Sequence, residues 1–302
     1  MISLSTSAFY ERATRQVGTL RAQAEELQQQ IGTGERLSRS SDDPVAAARL
    51  RTLERGERLA EIDQRNSDVA SNDLAMTDDA LGSIANIVIR AQELATRAAN
   101  GVLSPEQRAS IGTEISNLQQ SLVLVANGRD SAGHALFGGQ AAGAAYELVG
   151  GAYTYVGTAT KDGVDLGESQ SVISALTGPE VLDIEVDGVQ TDLFAVLGNL
   201  AAALQGDGDQ VGASRTALDG LSAGLDKVTT GQTVVGARMG WVELMNDRRV
   251  ANSELVAGEQ KAIGGADLAT TMTRLAEVTT VLEASQASFV RLANLTLFDA
   301  LR

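Results

Sequence analysis

Hydrophobic residues recur at coiled-coil spacing near both ends of the chain, in steps of three and four residues or of seven. The seam near the start consists of Val17, Leu20, Ala24, Leu27 and Ile31. The seam near the end consists of Leu268, Leu275, Leu282 and Phe289, with Val278 and Leu292 between the repeats. An amphipathic helix of this kind is marginal alone and needs a partner face. We therefore predict that the two terminal seams pair with each other.

Further helices are predicted between these ends. Asp43 precedes Pro44, a combination that favours a helix start. The stretch 104–107 reads Ser-Pro-Glu-Gln, a capping box for a third helix. Heptads resume with Leu221, Val228, Val235 and Val242. A helix over 210–258 would be roughly 70 Å long. The pair Gly264-Gly265 is expected to interrupt the pattern, and Trp241 is interpreted as a core residue.

The middle of the chain is of a different kind. Residues 128–208 hold 15 of the 31 glycines, which indicates turns rather than long helices. Segments 146–149 and 153–157 flank Gly150-Gly151 and predict a hairpin. Segment 181–186 alternates as a strand before Asp187-Gly188, and a short helix is expected over 192–204. These features predict an inserted β-rich domain.

The predicted fold is mainly α, a long antiparallel helical bundle or coiled-coil rod formed by both chain halves. We expect coiled-coil assembly segments at 1–43 and 263–302. The discontinuous helical rod domain would comprise 44–137 and 206–262, with the β-rich insertion at 138–205. The terminal seams bury only one stripe per helix, so apolar residues beyond them (Phe9, Tyr10, Met272, Leu295 and Phe298) would still need cover from neighbouring subunits.

The amino-acid composition excludes several classes of partner and binding site. The net charge is −15, from 24 Lys and Arg against 39 Asp and Glu, and this excess repels phosphate backbones and anionic lipid. We therefore expect neither nucleic acid nor membrane as a partner. The absence of cysteine excludes disulfides and thiolate metal sites. The start of the chain shows no Sec-type signal.

No catalytic or metal-binding pattern is evident. His134, the single histidine, has no second histidine or cysteine to join it and is interpreted as a loop residue. A calcium-type loop beginning at Asp207 fails, because its twelfth position is Leu218 where a glutamate is needed. The neighbouring acids Asp42 and Asp43 are better explained as helix caps. The sequence therefore predicts a protein that is not an enzyme and uses no cofactor.

Several short motifs carry a family resemblance. The opening Ile-Ser-Leu-Ser-Thr at 2–6, the stretch 30–37, Ala-Ala-Asn-Gly at 98–101 and Leu-Phe-Asp at 297–299 resemble the flagellin superfamily. The family-motif residues that we identify are Ser41, Asp42, Asp43, Pro44, Arg129 and Asp130. Together the motifs cover 1–137 and 210–302. Their form is similar to subunits that join hook to filament more than to filament flagellins.

The resemblance implies a structural subunit of the bacterial flagellum, exported through the flagellar type III apparatus. Its implied partners are copies of itself in a ring layer, a neighbouring hook-associated junction protein, flagellin, and a cytosolic export chaperone on the C-terminal helix. The expected assembly and chaperone interface comprises Val17, Leu20, Leu27, Ile31, Leu268, Leu275, Leu282, Phe289, Leu292 and Phe298. Two alternatives stay open: a filament-forming flagellin, and a surface adhesin that binds its ligand through the inserted domain.

Overall fold

The computed structural model describes the backbone of residues 3–300 and the side chains of residue 8 and residues 10–291. The helices of this described part are α1 (Ser3–Thr33), α2 (Pro44–Ala98), α3 (Pro105–Ala126), α4 (Gly178–Leu182), α5 (Leu193–Gln205), α6 (Gln210–Gly264) and α7 (Leu268–Ala300). The strands are β1 (Tyr146–Val149), β2 (Ala152–Tyr155), β3 (Gly163–Gly167), β4 (Gln170–Ile173), β5 (Asp183–Val186) and β6 (Val189–Asp192). The predicted mainly α fold with a small β-containing region is confirmed.

Local side-chain signals set the starts of α2 and α3 where the sequence predicts them. The amide of Ala46 donates to Asp43 Oδ1 at 3.0 Å, so Asp43 caps α2. Ser104 and Gln107 form the predicted reciprocal capping box at the start of α3. The helix α6 continues past the predicted end at 258 and stops at Gly264, the first residue of the predicted interruption.

Three antiparallel hairpins make up the β structure of the described chain. The turns of β1–β2 and β5–β6 use Gly150-Gly151 and Asp187-Gly188, all with positive φ. Two consecutive positive φ angles match the right-handed twist of the flanking strands. Both hairpins agree with the glycine signals in the sequence.

Two features of this region differ from the sequence prediction. Val181 and Leu182, assigned there to a strand, end the short helix α4 instead. The amide and hydroxyl of Thr177 donate to Glu180 Oε2, which starts this helix, and both apolar residues are fully buried. The hairpin β3–β4 was not predicted, because its turn residues Glu168 and Ser169 have positive φ without being glycine.

The chain divides into two compact units. One contains the residues up to Arg58 and those from Ala251 onward, and the other contains Leu59–Val250. The predicted domain boundary at 43/44 lies at the start of α2, and the one at 262/263 lies two residues before the end of α6, whereas the compact units divide further inside both helices. Side chains of the first unit explain the difference: Arg49 on α2 makes a bidentate pair with Glu259 on α6, at 2.6 and 2.8 Å.

The Leu59–Val250 unit has one continuous hydrophobic core. Its cluster joins residues of the glycine-rich region (Phe137, Tyr146, Leu182, Phe194) to residues of α2, α3 and α6 (Leu81, Leu122, Val228). Close approach of α3 and α5 depends on Gly112, where a Cβ would lie 3.0 Å from both Ala201 O and Leu204 Cβ. The β hairpins are therefore packed onto the helices without a separate core.

The interpretation of Trp241 as a core residue is wrong. Its side chain is 37% exposed and lies with Val234 and Leu244 on an outward face of α6. The buried face of α6 carries Val228, Val235 and Val242, so it is offset by one residue from the exposed one. Both faces repeat every seven residues, and periodicity alone does not say which face is covered.

Candidate assembly surface

The terminal helices α1 and α7 pack against each other, so the predicted pairing of the two terminal seams is confirmed. On α1, the seam residues Val17, Leu20, Leu27 and Ile31 are half-buried and Ala24 is buried. On α7, Leu275, Leu282 and Phe289 are half-buried. The rings of Tyr10 and Phe289 meet edge to face with centroids 5.4 Å apart.

The expected interface residues do not all belong to this packed seam. Leu268 is the first residue of α7 and is 46% exposed, because the packed face of α7 begins three residues later, at buried Thr271. The side chains of Leu292 and Phe298 lie outside the described residues, as do those of Phe9 and Leu295. Whether any of these residues contacts another subunit stays a prediction.

Apolar side chains of α7 also lie outside the seam. Met272, Val281 and Val290 are each about half exposed. Because most seam residues are themselves only half-buried, α1 and α7 together leave a wide apolar surface in contact with solvent. Such a surface typically marks an interaction site.

A backbone joint connects the segment after α1 to the segment before α7. The amide of Arg36 donates to Gly264 O at 2.7 Å, and the amide of Ala266 donates to Gly34 O at 2.8 Å. Gly34 has a φ of +74°, a backbone conformation that favours glycine. The Arg36 guanidinium donates to Ile263 O at 2.9 Å, capping the end of α6. The motif at 30–37 is therefore used to bond the two breaks between helices.

The motif at 41–44 organises the start of α2. Asp42 Oδ2 accepts from the Arg39 amide at 2.8 Å, and this hydrogen bond lowers the pKa of Asp42. The bond from the Ala46 amide lowers the pKa of Asp43, with a smaller effect from Arg36, whose guanidinium lies 3.4 Å away. Both acids thus stabilise local backbone, as the sequence predicts for helix caps.

Arg129 and Asp130, the second motif, hold a tight loop after α3. The Arg129 guanidinium donates to Gly133 O. Asp130 is buried, and its Oδ1 accepts from the amides of Ala132 and His134 at 3.0 and 2.8 Å. His134 is half exposed, with Nδ1 3.9 Å from Asp130 Oδ2. The structure thus shows this motif organising the loop after α3.

Sequence reasoning missed two groups of residues. One is the outward face of α6 with Val234, Trp241 and Leu244, beside exposed Ile173 of β4. The other is the buried group formed by Lys161 and two aspartates, described below. Among the side chains described, no group of three or more His, Cys, Asp or Glu residues is placed to hold a metal ion. Within residues 3–300, no helix has both the length and the apolarity needed to span a bilayer.

The N-terminal part of the chain matches a known protein family. Residues 4–142 match the model of the bacterial flagellin N-terminal helical region. This match contains α1, α2 and α3, together with both motifs and the loop after α3.

Similarity to individual relatives extends further. The chain is 27% identical over 318 residues to flagellar hook-associated protein 3 of Escherichia coli, covering 98% of each chain. It is 25% identical over 251 residues to flagellar hook-associated protein 3 of Salmonella typhimurium, covering 78% of each. The resemblance to the flagellin superfamily, and within it to hook-associated protein 3, is confirmed. The similarity to the Escherichia coli protein also includes the glycine-rich middle region.

A solved structure shares the fold. The flagellar junction protein of Legionella pneumophila is 16% identical, with a TM-score of 0.61, and the match covers 72% of this chain and 100% of that one. At this identity the likeness shows a common fold alone.

Proposed function

We propose that this protein is a structural subunit of the bacterial flagellum that joins hook to filament. The observation that carries the proposal is the similarity to hook-associated protein 3 of Escherichia coli across 98% of both chains. The name of that relative associates it with the hook, and the protein of Legionella pneumophila is called a junction protein. A structural role also fits the side chains, since the motif acids cap helices and organise a loop.

Assembly in this proposal uses the paired helices α1 and α7. Their half-buried seam and the exposed residues Met272, Val281 and Val290 leave apolar surface for neighbouring chains to cover. Copies of the same chain would surround it in a ring layer, with a hook-associated junction protein on one side and flagellin on the other.

The same helix suits an export chaperone. The face of α7 with Leu275, Leu282 and Phe289 is the one that packs on α1, so a chaperone on this face would replace α1. Binding of the chaperone and pairing of the terminal helices would therefore exclude each other. This arrangement would keep the chain unpaired until export through the flagellar type III apparatus.

The test is deletion of the gene in its own host, followed by complementation. Electron microscopy of the deletion strain is expected to show hooks without filaments, and the wild-type gene should restore them. Filaments of normal number and length in the deletion strain would refute the junction role. A flagellin would differ in another way, because purified protein would elongate into long filaments when seeded.

The seam itself is tested by Leu282→Asp. This change puts a carboxylate into the half-buried seam without a partner, which is costly. We expect the variant to fail to restore filaments and to lose chaperone binding in a pull-down. Ala284→Asp is the matched control, because Ala284 is exposed on the same helix and receives the same charge. Equal complementation by both variants would contradict the assembly role of the seam.

The adhesin alternative concerns the region between Gly138 and Gln205. It can be tested by substituting only exposed residues of β1, such as Leu148 and Val149. If these variants stay motile but lose attachment, the result would favour the adhesin alternative.

A further inference from the structure

A lysine lies between two buried aspartates in the Leu59–Val250 unit. Lys161 Nζ is 3.5 Å from Asp130 Oδ2 and 3.8 Å from Asp73 Oδ2. The side chains of the two aspartates are 4% and 7% exposed. Nζ itself has almost no contact with solvent and makes no hydrogen bond with the residues that the structure describes. The amine is therefore held close to two carboxyl groups without being bonded to either.

Asp130 is fixed with one oxygen bonded and the other facing the lysine. Its Oδ1 accepts from the amides of Ala132 and His134 at 3.0 and 2.8 Å. Two backbone amides at this distance form the arrangement that stabilises an oxyanion in acyl transfer. Its Oδ2 carries neither of these bonds and is the oxygen nearest to Lys161 Nζ. The Asp130 carboxyl thus lies beside the lysine amine, with its other oxygen held by two backbone amides.

Asp73 is fixed from the other side. It lies on α2, where Ser131 Oγ donates to its Oδ1 at 3.2 Å and Ser174 Oγ donates to its Oδ2 at 3.4 Å. The carboxylate remains within reach of Lys161 Nζ. A carboxylate held beside a nucleophile is suited to receive and return its proton.

We propose that Lys161 and Asp130 condense into an intramolecular amide bond once the chain has folded, with Asp73 as the proton carrier. Asp73 takes a proton from the Lys161 ammonium, and the free amine forms a C–N bond to Asp130 Cγ. The two amides bind the oxyanion on Oδ1. The bond from Cγ to Oδ2 then breaks, and Oδ2 leaves as water with two of the three ammonium hydrogens. The third hydrogen stays on the amide nitrogen, and Asp73 returns to its starting state.

The surroundings favour this product over the charged pair. Three formal charges share a small buried volume, and taking charges out of water is costly even when they are paired. The amide removes one positive and one negative charge from this volume and leaves Asp73 with its two serine bonds. No oxidant, metal or other reactant is required. The proposal is independent of the flagellar role.

The experiment is intact mass spectrometry of the purified full-length protein in denaturing solvent. The expected mass is lower than the sequence mass by one water. Glu-C protease supplies the position, because Glu147 lies between the two residues. The expected product is a branched peptide that joins 115–147 to 148–168 through Asp130 and Lys161. A wild-type protein of full sequence mass, still unchanged after long incubation of the folded chain at neutral pH, would overturn the proposal.

Variants test the assigned roles. Lys161→Met and Asp130→Ala should both keep the full sequence mass, whereas Lys227→Met, at an exposed lysine of α6, should still lose one water. Asp73→Asn should form the bond at least tenfold more slowly, with circular dichroism showing that it is folded. Equal rates for Asp73→Asn and wild type, or a branch at Asp73, would overturn the roles given to the two acids. The branched wild-type peptide is a readout that does not depend on any variant folding.

Discussion

A glycine on α6 allows α5 to approach closely, and replacing it provides a sharp test of the core packing. At Gly224 a Cβ would lie 2.3 Å from Leu193 Cδ2, 2.9 Å from Leu193 Cγ and 3.1 Å from Leu193 Cδ1. Leu193 is fully buried at the start of α5. Gly224→Ala therefore requires either the Leu193 side chain or α5 itself to move within the packed core. Overpacking of this kind typically costs about 1–3 kcal/mol.

The control is Gly240→Ala on the same helix, where the new Cβ would have no described neighbour within 4 Å apart from its chain neighbours and the adjacent backbone of its own helix. Both substitutions gain about 1 kcal/mol of helix propensity, so the difference between the variants isolates the packing cost. For a unit of this size, 1 kcal/mol shifts Tm by about 2–4 °C. We expect Gly224→Ala to melt roughly 2–12 °C below Gly240→Ala.

The assay is thermal unfolding followed by circular dichroism and by the fluorescence of Trp241, which lies in the same compact unit as Gly224. Equal midpoints for the two variants would refute the close packing of α5 on α6. A lower midpoint for Gly240→Ala than for wild type would refute the propensity argument.

Two further predictions concern buried polar groups. The Tyr146 hydroxyl is buried and has no hydrogen-bond partner among the described residues, and burial raises its pKa. Tyr146→Phe should leave the free energy of unfolding in urea unchanged or raise it by about 1 kcal/mol. A clear loss of stability would contradict this. Asp183 lies directly across the β5–β6 pair from Asp192, and burial, followed by that like charge, raises the pKa of Asp183. Because the folded state then holds this proton more strongly than the unfolded state, stability is gained as pH falls through the raised pKa and lost as pH rises. At pH 7, Asp183→Asn should therefore have a free energy of unfolding about 0.2–1 kcal/mol higher than that of the wild type. If urea titrations at pH 3 show the same difference in the free energy of unfolding, this would count against the reasoning.

Helix ends were predictable because their signals are local. Asp43, Ser104 and Gly264 act within one turn of the backbone that they cap or end. Hairpin turns were predictable only where glycine supplies the positive φ, as in Gly150-Gly151. The turn at Glu168-Ser169 has the same backbone form, but its residues give no such signal.

Individual side-chain contacts between distant residues were not predictable. The cap that Arg36 places on Ile263 joins residues 227 positions apart, and Asp73 meets Ser174 across 101 positions. A period of seven also identified apolar faces without showing which are covered, as the error at Trp241 illustrates. The pairing of the terminal seams could be predicted from the sequence, because neither seam has another complementary apolar face close to it along the chain.

The bonded breaks at Gly34 and Gly264 have a mechanical consequence. Reciprocal backbone hydrogen bonds from Arg36 and Ala266 join the two breaks, so the segments next to α1 and α7 are held together by these bonds as well as by the covalent chain. Separating α1 from α7 at this end would therefore require breaking both hydrogen bonds in addition to the contacts of the apolar seam.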